Sequence, residues 1–580
     1  MRITGAKMVI KALAIENTEV VFGYPGGAIM NVYDEIYKQK DFQHILTKHE
    51  QGAVHAADGY ARATGKVGVC IVTSGPGFTN AVTGLATAYM DSIPMVCISG
   101  QVPNAIIGTD GFQEIDAVGI SRPCTKHNFL VTTIEELPRV LKEAFYIASS
   151  GRPGPVHVDI PKDITAELGI FNYPTEINIS TYKPTVKGNV RQIKKALEEI
   201  ANSKRPLLYI GGGAILSNCS YEIREFAKAT GIPAVETLMA RGAMGSENPL
   251  LCGMLGMHGE YAANMAMHET DCIISLGARF DDRVTGRLDK FGKHAKIIHV
   301  DIDPANIGKI VHINCPIVGD LKNVMTDILA LMNEFNFGDY SSWVDTIHEN
   351  QIKEPLTYFE DSDALKPQWV VKRTGELLGD KAIISTDVGQ HQMWAAQFYP
   401  FNYPRQWITS GGLGTMGYGL PAAMGVKRGC PDKISVNFTG DGSIMMNVQE
   451  VMTCTQYQTP VVNIILNNNY LGMVRQWQTF FYEDRLSETI LEMQPNFKML
   501  CESMGGIGYR VTTKEEFDKA LEDAVASNKT AFIEVMVDRR ENVLPMVPNG
   551  HALNEMYLLK EGDRRWKVHK IFIIQLKKEK

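Results

Sequence analysis

The sequence predicts an α/β fold made of three doubly wound domains with mostly parallel sheets. Apolar, strand-like runs alternate with helix-length segments along the whole chain, which is the pattern of stacked βα units. Some of these runs end in a glycine-rich turn, as Val67 to Thr73 does before Ser74-Gly75-Pro76-Gly77. Open α/β sheets bind ligands at the carboxyl ends of such strands, so the turns are candidate binding loops.

Two polar, weakly patterned stretches divide the chain. They run from about Asn172 to Gly188 and from about Asn336 to Lys366. We therefore expect an N-terminal domain at residues 1–172, a central domain at 189–335, a C-terminal domain at 367–550 and a tail at 551–580. The outer two domains each contain a strand that enters a glycine turn and then a helix, which favours two related sheets flanking a different one.

Composition limits the class of protein. A chain of 580 residues with 44% hydrophobic and 21% charged residues is typical of a globular protein, and a net charge of −7 argues against a nucleic-acid partner. The ten cysteines form no CxxC pair, which favours reduced, buried thiols. No apolar run approaches the roughly 18 residues of a membrane span, and Met1 to Met8 lacks the features of a signal or transit peptide. We expect a cytoplasmic protein, or a plastid stromal one if it is organelle-encoded.

Asp441 and Asn468 form the most informative pair in the chain. They lie in GDGS (Gly440 to Ser443) and LNNNY (Leu466 to Tyr470), and each follows an apolar run. Carboxylate and amide oxygens suit Mg²⁺, which usually shares its shell with phosphates and water. The glycines let the backbone approach a phosphate, and a helix predicted from Asn447 to Met452 would direct N–H groups at it. GDGS followed by NN is the signature of thiamine diphosphate (ThDP) enzymes.

Two other glycine motifs favour a nucleotide only weakly. Gly412 to Gly417 is a literal GxGxxG, but the acid that should bind the ribose, Asp432, precedes the next strand instead of ending it. Pro206 to Gly213 is a better nucleotide-binding strand and turn, yet it is not specific by itself.

Glu50, in KHEQG (Lys48 to Gly52), is a candidate for activating ThDP. It follows an apolar strand and precedes an alanine-rich helix. A carboxyl group held against the pyrimidine would drive the tautomerisation through which the cofactor loses its reactive proton. A helix N-terminal glutamate stabilised by the helix dipole is the alternative.

The chain resembles the acetohydroxyacid synthase (acetolactate synthase) family of large catalytic subunits from about residue 2 to about residue 550. The resemblance rests on GDGS, NN, KHEQG and SGPG together with FGYPGGA (Phe22 to Ala28), GQVP (Gly100 to Pro103), GTDGFQE (Gly108 to Glu114), SGRPGP (Ser150 to Pro155), LGMHG (Leu255 to Gly259), RFDDRVTG (Arg279 to Gly286), VGQHQMW (Val388 to Trp394) and LGMVRQW (Leu471 to Trp477). It implies that the N-terminal domain binds the pyrimidine of ThDP, the central domain binds FAD with no redox part in the main reaction, and the C-terminal domain binds the diphosphate with Mg²⁺.

The resemblance also implies roles for the matching residues. Glu50 would activate the pyrimidine, and Mg²⁺ would bind Asp441, Asn468 and the main-chain carbonyl of Tyr470. The family commonly has histidine at that last position, and tyrosine keeps a backbone ligand. Met416 would hold ThDP bent. The other ThDP-binding candidates are Gly26, Pro76, Val388, Gly389, Gln390, His391, Gly414, Gly440, Gly442, Ser443, Gly472 and Met473.

The FAD and substrate candidates follow in the same way. Arg283 would hold the carboxylate of the second 2-keto acid, a task suited to a planar bidentate donor. A structural Arg–Asp pair within Arg279 to Arg283 is the alternative. Trp477 would shape the pocket for the acceptor's alkyl group, and Phe112, Gln113 and Lys162 would line the site. The FAD candidates are Arg152, Gly211, Met257, His258, Gly277, Ala278, Arg279, Asp282 and Asp301.

The implied reaction is decarboxylation of pyruvate and transfer of the two-carbon unit to a second 2-keto acid. Pyruvate as acceptor gives 2-acetolactate and 2-oxobutyrate gives 2-aceto-2-hydroxybutyrate, the first common step of branched-chain amino acid biosynthesis. The resemblance further implies a homodimer or homotetramer with active sites between chains, and a small regulatory subunit. A pyruvate oxidase that uses the same cofactors is the alternative enzyme. A catalytically silent paralogue is disfavoured, because Glu50 and the metal ligands are present. The basic stretch from Arg564 to Lys580 has no counterpart in the family, and we expect a flexible tail there.

Overall fold

Three six-stranded sheets, each parallel throughout, organise the protein. The computed structural model describes residues 1–360 and 362–559, so the basic stretch from Arg564 to Lys580 lies outside the described residues. Val, Ile and Leu are common in the inner strands, which are buried along nearly their whole length, as sheets covered on both faces require, whereas most edge strands are partly exposed. The predicted α/β fold with parallel sheets is confirmed.

The N-terminal sheet has the strand order β3-β2-β4-β5-β7-β6, and β1 pairs antiparallel with β8 beside it. The strands are β1 (Arg2–Thr4), β2 (Val20–Gly23), β3 (Gln43–Leu46), β4 (Gly68–Val72), β5 (Met95–Gln101), β6 (His127–Leu130), β7 (Pro155–Pro161) and β8 (Leu168–Ile170). The helices are α1 (Gly5–Ile15), α2 (Met30–Lys38), α3 (Glu50–Thr64), α4 (Pro76–Met90), α5 (Ala117–Ser121), α6 (Leu137–Ser149) and α7 (Lys162–Ala166).

The central sheet has the order β11-β10-β9-β12-β13-β14. Counted within the sheet this is 3-2-1-4-5-6, the order of dinucleotide-binding folds, whose ligand crevice opens between the first and fourth strands. The strands are β9 (Pro206–Ile210), β10 (Ala234–Glu236), β11 (Leu251–Met254), β12 (Cys272–Leu276), β13 (Lys296–Asp301) and β14 (Cys315–Val318). The helices are α8 (Val190–Ala201), α9 (Gly212–Leu216), α10 (Ser220–Thr230), α11 (Tyr261–Glu269), α12 (Asp282–Thr285), α13 (Leu321–Leu331) and α14 (Ser341–Lys353).

The C-terminal sheet has the order β16-β15-β17-β18-β20-β19. The strands are β15 (Ala382–Thr386), β16 (Trp407–Ile408), β17 (Ile434–Gly440), β18 (Val462–Asn467), β19 (Ile507–Val511) and β20 (Ala531–Met536). The helices are α15 (Pro367–Leu378), α16 (Gln390–Phe398), α17 (Gly419–Gly429), α18 (Asp441–Ile444), α19 (Glu450–Gln456), α20 (Gly472–Phe481), α21 (Phe497–Ser503) and α22 (Lys514–Ser527). The outer two sheets share the order 2-1-3-4-6-5, in agreement with the expectation of two related sheets flanking a different one.

The second stretch expected to be a linker contains a helix. Helix α14 lies within it, and its Trp343 and Ile347 are buried against the central core. The indole Nε1 of Trp343 donates to the carbonyl of Pro206 at 3.1 Å. Two apolar residues one helical turn apart make a stripe too short to stand out in the sequence, and tertiary packing stabilises the helix.

The N-terminal and C-terminal sheets meet through α3 and α17. A Cβ at Gly425 would lie 1.9 Å from the carbonyl oxygen of Ala56, so the two helices touch backbone to backbone. Beside them Arg62, buried, pairs with Asp58 at 2.5 Å and Asp91 at 2.9 Å.

All ten cysteines are unpaired and eight of them are buried. Among the described helices, none is both long enough and apolar enough to cross a bilayer.

Candidate functional site

Almost all of the candidate residues follow the carboxyl ends of parallel strands. At the N-terminal sheet they line one edge, after β2, β3, β4, β5 and β7 in turn: Gly26, Glu50, Pro76, the pair Phe112 and Gln113, and Lys162. At the C-terminal sheet they are Val388 to His391 after β15, Gly414 and Met416 after β16, Gly440 to Ser443 at the end of β17, and Asn468 to Met473 after β18. This is the edge at which open α/β sheets bind ligands.

Asp441 and Asn468 lie at adjacent strand ends, since β17 pairs with β18. Asp441 is buried, and burial raises the pKa of its carboxyl group to about 7. Within the described residues no group of three His, Cys, Asp or Glu side chains could hold a metal ion. A cation here would therefore need amide and main-chain oxygens as well, and Asp441, Asn468 and the carbonyl of Tyr470 are such a set.

The surroundings of Asp441 and Asn468 orient both side chains. The side-chain amide of Gln494 donates to Asp441 Oδ2. Asn468 Oδ1 accepts from the backbone N–H of Tyr470 at 3.0 Å, and Asn468 Nδ2 donates to Gln390 Oε1 at 3.2 Å. The helix predicted from Asn447 begins at Glu450, and a shorter helix, α18, begins at Asp441 itself.

His391, at the carboxyl edge of the C-terminal sheet, has one ring nitrogen without a hydrogen-bond partner in the described part of the chain. Burial lowers its pKa to about 3, so the ring is neutral at physiological pH. Its Nε2 is buried and has no hydrogen-bond partner among the described residues. Gly389 and Gly440 leave room for the ring, because a Cβ at either position would lie within 3.0 Å of it. A buried polar atom without a partner is costly, and a polar group of a bound ligand would account for it.

Glu50 is the first residue of α3 and is 9% exposed. Asn80 Nδ2 donates to its Oε2 at 3.0 Å, while Gly77 keeps the other oxygen uncrowded, since a Cβ there would lie 3.3 Å away from Oε1. The position also suits the alternative of a glutamate that stabilises the helix dipole. The two interpretations are compatible, because a carboxylate oriented by one amide keeps a free oxygen.

A cavity of about 700 Å³ lies where the N-terminal, central and C-terminal domains meet. That volume is typical of pockets for small molecules and cofactors. It brings together candidates of all three domains, namely Arg152, Gly211, Met257, His258, Gly277, Ala278, Arg279, Arg283, Asp301, Val388, Gly389, Gly414, Met416, Met473 and Trp477. Asp282 does not line it, whereas the neighbouring Asp281 does.

The central part of the cavity opens at the crevice between β9 and β12. Gly211 and Gly277 follow these strands, and a Cβ at Gly211 would lie 2.3 Å from the carbonyl oxygen of Gly277. The crevice is therefore lined by bare backbone. Thr237 and Ser217, which also line the cavity, have buried hydroxyl groups with no partner among the described residues. Backbone and unpaired hydroxyl groups at this crevice suit a nucleotide cofactor.

The arginines of this cavity have different partners. Arg279 Nη2 pairs with Asp281 at 2.8 Å, which is the structural pair left open by the sequence. Arg283 lies 3.7 Å from Asp282, and its side chain is 57% exposed. Such a long, exposed pair is weak, so the Arg283 guanidinium can bind a ligand carboxylate. Trp477, on α20, lines the same cavity and packs edge-on against Phe481.

The remaining candidates do not line this cavity in the described part of the chain. They comprise the candidates at the edge of the N-terminal sheet and part of those at the edge of the C-terminal sheet: Gly26, Glu50, Pro76, Phe112, Gln113, Lys162, Gln390, His391, Gly440, Asp441, Gly442, Ser443, Asn468, Tyr470 and Gly472. Phe112 is 90% exposed. One chain thus presents two separate edges of candidate residues, one on each outer sheet.

Sequence reasoning missed several residues that hold the candidates in place. Asn80 lies one helical turn after Pro76, a spacing that could have been noticed because such residues share a helix face. Gln494 and Gln476 carry no comparable signal. Gln494 lies in an irregular segment, and Gln476 contacts residues far away in the sequence.

Family models match most of the chain. Residues 3–120 match "Thiamine pyrophosphate enzyme, N-terminal TPP binding domain", residues 193–328 match "Thiamine pyrophosphate enzyme, central domain", and residues 387–535 match "Thiamine pyrophosphate enzyme, C-terminal TPP binding domain". Thiamine pyrophosphate is another name for ThDP.

Relatives are similar over nearly the whole chain. The acetolactate synthase large subunit of Haemophilus influenzae is 50% identical over 566 residues, covering 96% of this chain and 99% of the relative. The acetolactate synthase isozyme 3 large subunit of Escherichia coli K12 is 47% identical over 567 residues, with the same coverage. The probable acetolactate synthase large subunit of Methanocaldococcus jannaschii is 47% identical over 562 residues, 95% of each chain.

Proposed function

The chain belongs to the thiamine pyrophosphate enzymes, in the family of acetolactate synthase large subunits, and from this we propose how its own residues perform the family's reaction. The reaction is decarboxylation of pyruvate and ligation of the two-carbon unit to a second pyruvate or to 2-oxobutyrate. The relatives are acetolactate synthases, which favours ligation over pyruvate-oxidase chemistry.

One observation carries this assignment of residues: Arg283 and Trp477 line the same cavity as Val388 and Met416. A planar cation and a large apolar ring in one cavity suit a small acid with an alkyl chain. Arg283 binds the carboxylate of the acceptor, and Trp477 packs against its alkyl group. Met416, which lines the same cavity, would hold ThDP bent, and Val388 would lie near its diphosphate.

The cofactor is held at the edge of the C-terminal sheet. Asp441, Asn468 and the main-chain carbonyl of Tyr470 would bind Mg²⁺, and His391 would lie next to the diphosphate. Support comes from the buried carboxyl group of Asp441 and the unpartnered Nε2 of His391. ThDP, when bound, supplies the electron sink for decarboxylation and for carbon–carbon bond formation.

FAD is held in the crevice between β9 and β12 without a redox part in the reaction. The bare backbone at Gly211 and Gly277 admits it, and the hydroxyl groups of Thr237 and Ser217 gain partners. Arg152, whose guanidinium pairs with Asp303 at 3.2 Å, closes one side of the cavity.

Two chains complete each active site, with Glu50 supplied by the second chain. Within one chain Glu50 lies outside the cavity, and large apolar side chains next to both sets of candidate residues are exposed, which is typical of a protein interface. They are Tyr24, Met30, Phe112, Leu413, Met445 and Met446. The smallest functional unit is therefore a homodimer, and the names of the relatives as large subunits support a small partner subunit.

The decisive experiment uses purified protein with pyruvate, 2-oxobutyrate, ThDP, Mg²⁺ and FAD. We expect both acetohydroxy acids and no stoichiometric oxygen uptake. Oxygen consumption with pyruvate and no acetolactate would instead establish a pyruvate oxidase. Omitting Mg²⁺ or ThDP should abolish product formation, while FAD reduction during turnover would contradict its non-redox role.

A further inference from the structure

A chain of three amides links the metal ligand candidate Asn468 to helix α20. Asn468 Nδ2 donates to Gln390 Oε1 at 3.2 Å, and Gln390 Nε2 donates to Gln476 Oε1 at 2.8 Å. Gln390 and Gln476 are 2% and 0% exposed. Gly472 leaves space for this chain, because a Cβ there would lie 2.2 Å from Gln390 Oε1. Gln476 is thus connected through Gln390 to the metal ligand candidate Asn468, and Trp477 is the next residue of the helix.

Gln476 also holds residues 541–547, which we call the C-terminal strap. Its Oε1 accepts from the N–H of Val543 at 2.8 Å, and its Nε2 donates to the carbonyl of the same residue at 3.0 Å. Both polar main-chain groups of Val543, which is fully buried, therefore bond to one side chain. Arg475, the preceding residue of α20, donates to the carbonyl of Glu541 at 2.7 Å.

The other end of the strap contacts the loop that carries Arg283. The N–H of Val547 donates to the carbonyl of Met257 at 2.7 Å, and the N–H of Met257 donates to the carbonyl of Arg283 at 2.7 Å. Gln397 Nε2 adds a cross-link by donating to Leu544 O at 3.3 Å and His258 O at 3.0 Å. The strap is a continuous connection from the helix of Trp477 to the backbone of Arg283.

We infer that Gln476 is a positioning residue that sets the spacing between Trp477 and Arg283, and through it the choice of acceptor. The inference rests on the proposed function, in which these two residues bind the alkyl group and the carboxylate of one 2-keto acid. Both groups are attached to the same carbonyl carbon. The distance between the arginine and the tryptophan therefore selects the length of the alkyl chain.

Replacing Gln476 by leucine keeps similar volume and removes all of its hydrogen bonds. Val543 is left with two buried main-chain groups that have no partner, so the strap should move toward water. The loop that carries Arg283 is then no longer held at a fixed distance from Trp477. One methylene in an apolar pocket changes selectivity by about 10–200-fold, so even partial loss of registration is measurable.

The test compares Q476L with Q478L in the full-length protein loaded with ThDP, Mg²⁺ and FAD. Gln478 is a matched control on the same helix, since its amide donates to Ser487 O at 3.0 Å. With pyruvate and 2-oxobutyrate in competition, we expect Q476L to shift the ratio of the two products by roughly five-fold. The shift is toward the concentration ratio of the two acceptors in the assay, which is the ratio expected without selectivity. Q478L should stay within about two-fold of wild type.

Hydrogen exchange of the protein without cofactors gives a second readout. Residues 541–547 should exchange faster in Q476L and unchanged in Q478L. An unchanged product ratio would overturn the inference, whether or not hydrogen exchange is faster. Unchanged hydrogen exchange in residues 541–547 would show that Gln476 does not hold the C-terminal strap, and would overturn it too. If Q476L does not fold, Q476E replaces it: this variant still accepts from Val543 N–H but as a carboxylate cannot donate to the Val543 carbonyl, so a shift in the same direction is expected, and no shift refutes the role. A wild-type protein that makes no acetohydroxy acid would refute the proposed function instead.

Discussion

Replacing Glu50 by glutamine tests the proposed activation of the cofactor with little change to the fold. The amide has the same shape, and its oxygen can still accept the 3.0 Å hydrogen bond from Asn80 Nδ2. The stabilising charge at the start of α3 is lost, which costs about 0.3–1 kcal/mol. The melting temperature of E50Q should therefore fall by only a few degrees.

The effect on turnover should be far larger. A positioned acid–base group contributes roughly 10²–10⁴-fold to rate, which equals about 3–5 kcal/mol of activation free energy. We expect kcat for acetolactate formation to fall by that factor in E50Q, with KM for pyruvate within about two-fold of wild type. N80A keeps the carboxylate and loses only its orienting hydrogen bond, so its loss of kcat should be smaller.

The assay is the initial rate of acetolactate formation at saturating ThDP and Mg²⁺. Thermal unfolding of the same preparations serves as the fold control. Wild-type turnover in E50Q would refute the role of Glu50, because no other group is proposed to hold that proton. If E50Q loses activity and its melting temperature also falls by much more than a few degrees, Glu50 would instead have a structural role at the start of α3.

Three further perturbations test specificity, packing and pH dependence. W477L should lower the preference for 2-oxobutyrate over pyruvate more than it lowers the total rate, and an unchanged product ratio in competition would contradict the alkyl pocket. G425A should lower the free energy of unfolding by about 1–3 kcal/mol in denaturant titrations, since the new Cβ would lie 1.9 Å from Ala56 O, whereas G27A, with no atom within 4 Å of its new Cβ, should match wild type. Burial raises the pKa of Asp159 from 3.8 to about 7. The folded chain therefore keeps this proton while the unfolded chain releases it, and stability should fall as the pH rises from about 4 to about 7. D159N should remove that part of the pH dependence of the melting temperature, and parallel curves for both proteins would contradict it.

Much of the fold and the family could be predicted from local patterns. Apolar runs followed by glycine turns identified strands such as β17 and β18, because strand burial and turn chemistry are encoded over a few residues. The same runs put Asp441 and Asn468 at strand ends, and in the structure these are the ends of adjacent strands. Helix α14 was not predicted because only two of its residues, Trp343 and Ile347, are buried, and the core residues that they contact lie outside the segment.

The sequence by itself therefore determined the fold class, the family and the type of each candidate group. The tertiary structure alone decided which of them share a space: Arg283 and Trp477 line one cavity, Asp281 lines it where Asp282 was expected, and Glu50 lies at a separate edge. It also revealed Gln476, whose hydrogen-bond partners Gln390 and Val543 are distant in the chain. Contacts of this kind depend on how sheets and helices pack against one another, and residues so far apart leave no periodic signal in the sequence.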